Sequence, residues 1–134
     1  MIRFEKLNPE VQYPYADATT AAAYVNGTLG TVSGGVFTVG AGAYCIMQVE
    51  MGDDAYTDEY TIPSGAHARV ANLADTDVAG EIVNITKAQL PDTYAVGNKL
   101  AATAAGKLSV STTNPIFEIV SVTDYGVRAV VLGN

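Results

Sequence analysis

The chain has 134 residues, about one domain's length, and fourteen acidic against seven basic residues give a net charge of −7. The cations Arg3, Lys6, Arg69, Lys87, Lys99, Lys107 and Arg128 form no run, which argues against nucleic acid and anionic membrane surfaces, both of which call for clustered Lys and Arg. One cysteine rules out an internal disulfide or a cysteine-based zinc site, and no stretch approaches the roughly 18 apolar residues that cross a bilayer.

Ala, Val, Thr and Gly fill 63 of the 134 positions, while the surface helix formers are scarce. That mix favours strands and tight turns over a helical bundle. The start of the chain leads into no secretory apolar segment, so the chain is expected to be made in a cytoplasm.

Residues 1–30 read as an extended N-terminal arm. Pro9 and Pro14 disfavour helix before them and remove backbone donors. Phe4, Leu7, Val11, Tyr13 and Tyr15 are its apolar anchors, expected to serve assembly with a neighbour more than the fold itself. A short helix is expected over residues 17–25, with Asp17 as its N-cap and Asn26-Gly27 as its stop.

Residues 31–134 read as a β-domain, with strand and turn signals alternating at short spacing. Ser33-Gly34-Gly35 is a turn before Val36-Phe37-Thr38-Val39. Residues 44–51 form a strong strand in which Cys45, Met47 and Val49 alternate with Tyr44, Ile46 and Gln48. An acidic loop follows over residues 52–59, then a short strand over 60–62, a weakly alternating one over 66–73 and another over 81–86. Residues 98–102 and 107–111 flank Ala105-Gly106 as a hairpin, and residues 116–122 and 127–132 pair around Asp124-Tyr125-Gly126. In that last pair Ile116, Ile119, Val122, Val130 and Leu132 occupy both strand faces, so some belong to the core and some to a neighbouring subunit. Eight or nine strands in this length predict an all-β, small single-domain β-barrel or β-sandwich.

The residues that could carry chemistry are few. Cys45 and His67 could form a dyad only on adjacent strands, and Cys45 sits in the most apolar strand, where a free cysteine acts as a small hydrophobe. His67, beside a turn, reads as a surface residue. No serine lies in a nucleophile elbow, and no glycine loop has the lysine of a phosphate cradle. Asp75-Thr76-Asp77-Val78-Ala79-Gly80 matches the first, third and glycine positions of a calcium loop. Ala79 and Thr86 fail it at the later ligand positions, so it reads as a solvated acidic turn. The sequence therefore predicts no catalytic residue, no cofactor and no metal.

One pattern in the C-terminal third resembles a known family. Val96-Gly97-Asn98-Lys99-Leu100, Gly106-Lys107-Leu108, Phe117-Glu118-Ile119-Val120 and Gly126-Val127-Arg128-Ala129-Val130-Val131-Leu132 are similar to the small β-domains of tailed-bacteriophage head decoration (auxiliary capsid, or cement) proteins. The resemblance covers about residues 94–132 and does not extend to residues 44–90. It implies a structural virion protein, made in the host cytoplasm, that sits on the capsid exterior and stabilises the assembled shell. Its partners would be the major capsid protein and further copies of itself, a trimer ahead of a dimer. The alternatives are a phage tail, baseplate or fibre module, and a carbohydrate-binding β-sandwich using Tyr13, Tyr15, Tyr56 and Tyr60.

Overall fold

Short apolar runs punctuated by glycine become strands and hairpins throughout a computed structural model, which describes residues 1–5, 15–47 and 61–133. The described strands are β1 (Ile2–Phe4), β2 (Tyr15–Thr20), β3 (Tyr24–Val25), β4 (Leu29–Ser33), β5 (Val36–Val39), β6 (Tyr44–Ile46), β7 (Thr61–Ile62), β8 (His67–Asn72), β9 (Ile82–Thr86), β10 (Lys99–Ala102), β11 (Leu108–Val110), β12 (Phe117–Val122) and β13 (Gly126–Val131). The fold is all-β, as the composition predicts.

Two bodies of sheet take eleven of these strands, and β3 pairs with β7 as a separate two-stranded sheet. The first is a closed barrel in the order β2-β5-β4-β6-β8. The second is a six-stranded sheet in the order β1-β9-β13-β12-β10-β11, in which every pairing is antiparallel. In the barrel, β4 and β5 join through Gly34 and Gly35, both at positive φ (59° and 78°). Two such central residues make the turn whose twist matches paired strands. The barrel closes where β2 lies parallel to β5, with Thr19 opposite Val36 and Thr20 opposite Phe37.

Packing divides the apolar side chains into two cores. The larger lies between the sheet and one side of the barrel, joining Ile2, Val83, Ile85, Leu100, Phe117, Ile119 and Val127 to Leu29, Cys45, Met47, Ala71 and Leu73. The smaller fills the barrel with Ala18, Phe37, Ile46, Ile62, Ala68 and Val70. Strands β6 and β8 thus form a wall with a core on each face, which explains why residues 66–73 alternate so weakly in sequence.

The structure corrects two readings of the N-terminal region. Residues 17–25 are not helical: Ala18 and Thr20 are buried in the barrel while β2 pairs with β8 over five residues. The Asp17 carboxylate meets His67 instead of capping a helix, so pairing with β8 overrides the local alanine propensity. Nor does residue 30 bound an arm. Met1 and Ile2 are buried and β1 is the edge strand beside β9, with Ile2 opposite Ile85. The gain from burying Ile2 and pairing β1 outweighs the cost of ordering a chain end. The expected anchors Leu7, Val11 and Tyr13 lie outside the described residues.

Candidate interaction surface

Of the five expected anchors, the structure brings Phe4 and Tyr15 together. Their rings meet edge to face, with centroids 6.2 Å apart. The Arg69 guanidinium lies 4.4 Å from the Tyr15 ring centroid, a cation–π arrangement. Both aromatic side chains are half-buried against the larger core. Phe4 on the sheet edge and Tyr15 on the barrel therefore join the two bodies, and the Arg69 cation covers a face of Tyr15.

The two residues considered for nucleophilic chemistry stand apart. Cys45 is fully buried, pairs with Leu29 and Ala71, and points its Sγ at the Gly27 carbonyl oxygen 3.7 Å away. Burial raises its thiol pKa to about 12, so the nucleophilic thiolate does not form at neutral pH. His67 lies four positions along β8 from Ala71, about 13 Å at strand spacing. Its ring is exposed, with Nδ1 3.0 Å from Asp17 Oδ2. The two residues make no dyad: Cys45 is an inert core residue and His67 a surface one.

The acidic turn is explained by its own backbone. The Asp75 carboxylate accepts the Asp77 N–H at 2.9 Å and caps a 3-10 turn over Thr76–Val78. Among the described residues, no three His, Cys, Asp or Glu side chains converge as metal ligands. The acidic loop over residues 52–59 lies outside them. A cleft of about 580 Å³ separates residues 41–43 of the barrel from the β10–β11 hairpin, and its walls, which include Leu73, Ser109, Asn114 and Ile116, carry no titratable group.

A different feature distinguishes the far end of the six-stranded sheet. Seven large apolar side chains are well exposed among the described residues, and four of them, Val96, Val120, Val122 and Tyr125, sit at this one end. The Gly97 N–H donates to the Ile119 carbonyl and the Ile119 N–H to the Asn98 carbonyl, both at 2.9 Å. These bonds lay the segment before β10 along β12 and bring Val96 beside Val120. Register shifts between Ile119 and Ser121, a bulge that interrupts the inward and outward alternation of β12. Val120 is exposed there while Ile119 remains buried. Val122 stands at the strand's end, 52% exposed. Tyr125, in the β12–β13 turn, donates its hydroxyl to Asn84 Oδ1 on β9, which fixes a partly exposed ring over the sheet.

This end has stiff backing. Phe117, Ile119 and Val127 are buried on the core face, the face Val122 shares at the strand's end through its register with Val127. On β13, Arg128 holds Glu5 at 2.9 Å and ties in the edge strand β1. Clustered apolar side chains on a rigid sheet are what a protein contact requires, whereas isolated exposed valines need no explanation. Ile116 and Ile119 are buried, Val130 and Leu132 are half-buried, and Val122 is exposed where β12 ends. The exposure of Val120 and Tyr125 was missed. Its only signal was the unbroken apolar character of residues 119 and 120, which a regular strand cannot bury on one face.

No protein-family model, curated protein or solved structure matches this chain.

Proposed function

We propose that this protein is a structural, non-enzymatic module that attaches to the outside of an assembled phage capsid as a decoration protein. In this reading it stabilises the shell and joins with further copies of itself, a trimer ahead of a dimer. The major capsid protein is its partner, and its place is the virion exterior. The observation that carries the reading is the exposure of Val96, Val120, Val122 and Tyr125 around the C-terminal end of β12. All four residues lie within residues 94–132, the stretch that resembles the decoration-protein β-domain. A small β-body that repeats one weak contact at many identical sites gains its hold by avidity, and a patch of a few apolar side chains suits that task. The carbohydrate-binding alternative loses one of its aromatic platforms, because Arg69 already lies over the Tyr15 ring.

The test is co-sedimentation with capsid shells assembled from a phage major capsid protein and free of their own decoration protein. Wild-type protein is expected to sediment with the shells and raise their melting temperature. A Val96→Ser, Val120→Thr, Val122→Thr variant is expected to keep its own unfolding midpoint within a few degrees while losing the association. Wild-type protein that stays in the supernatant across a panel of such shells, or a folded triple variant that binds as well as wild type, overturns the proposal.

A further inference from the structure

We draw no further inference here: the strongest candidate, the uncharged cleft between residues 41–43 of the barrel and the β10–β11 hairpin, carries no titratable group and nothing in the structure shows what fills it.

Discussion

Cys45 and Ile46 are neighbours in the chain and belong to different cores, Cys45 to the one beneath the sheet and Ile46 to the barrel interior. A strand buried on both faces couples the two bodies, because loosening either core exposes one side of the same backbone. Phe37 is the largest fully buried side chain of the barrel core, and Phe117 is its counterpart beneath the sheet. Phe37→Ala and Phe117→Ala are each expected to cost about 3–5 kcal/mol. Each variant should still unfold in one transition, with far-ultraviolet circular dichroism and tyrosine fluorescence coincident. Two separated transitions in the Phe37→Ala protein would show that the barrel and the sheet are independent units.

The Cys45 thiol gives a pH dependence with a definite sign. Its pKa is about 12 in the folded chain against an ordinary value of 9.0, because burial disfavours the thiolate. Below pH 9 the thiol is protonated in both states and its contribution is constant. Between about 9 and 12 the unfolded chain releases the proton and the folded chain keeps it, so stability falls by up to about 1.4 kcal/mol per pH unit. The comparison that isolates the thiol is with Cys45→Ala. That variant is expected to lose about 1–2 kcal/mol of packing at pH 7 and to show a shallower alkaline decline. An iodoacetamide reaction at pH 8 should be slow on native protein and fast after denaturation. Equal alkaline slopes in the two proteins, measured by denaturant titration, would remove burial of Cys45 as the cause.

The β10–β11 and β12–β13 hairpins were legible in sequence because period-two patterning and local turn signals agreed. Barrel strand β8 was only weakly so, since Val70 and Ala71 are buried toward opposite cores and erase the alternation. The N-terminal pairing was hidden for a different reason. Ile2 finds its partner Ile85 more than eighty residues away, and no local pattern around Pro9 announces such a contact. At the candidate surface, Val122 is exposed because β12 ends there, on the face it shares with buried Val127. The bulge that turns Val120 to solvent depends on the register against β13, which residue spacing alone does not reveal.

Burial of the first strand makes the N-terminus a stability element. Ile2 is fully buried, and Glu5 is tied by its N–H to the Ile82 carbonyl and by its carboxylate to Arg128. Ile2→Ala is expected to cost about 2–5 kcal/mol, as deleting a buried aliphatic side chain does. Breaking the half-exposed Glu5–Arg128 pair with Glu5→Gln should cost less than about 1 kcal/mol. Urea unfolding of the two variants checks the ranking. A truncation starting at residue 16 is accordingly expected to lower the unfolding midpoint rather than to affect assembly alone. An unchanged midpoint for Ile2→Ala would return the N-terminal strand to the role of a detachable arm.

Gly40 and Gly42 occupy one loop, and the structure assigns them opposite tolerance to a side chain. Neither takes a positive φ, so the difference is one of space alone. A Cβ at Gly40 would meet nothing within 4 Å, whereas one at Gly42 would lie 2.0 Å from the Gly30 carbonyl oxygen. Gly30 is equally confined, since its own Cβ would lie 2.1 Å from the Thr38 oxygen and 2.8 Å from the Phe37 ring. Relief at either site requires moving backbone that forms the barrel wall, not rotating a side chain. Gly42→Ala and Gly30→Ala are therefore expected to cost at least the upper end of the roughly 1–3 kcal/mol typical of overpacking, with little soluble folded protein recovered. Gly40→Ala should be neutral or stabilise by about 0.4–1 kcal/mol, because alanine restricts the unfolded chain and clashes with nothing in the folded one. Thermal unfolding of Gly40→Ala beside Gly42→Ala decides the matter. Equal midpoints would mean that β4 and the loop at residue 42 do not approach as closely as their backbones are placed.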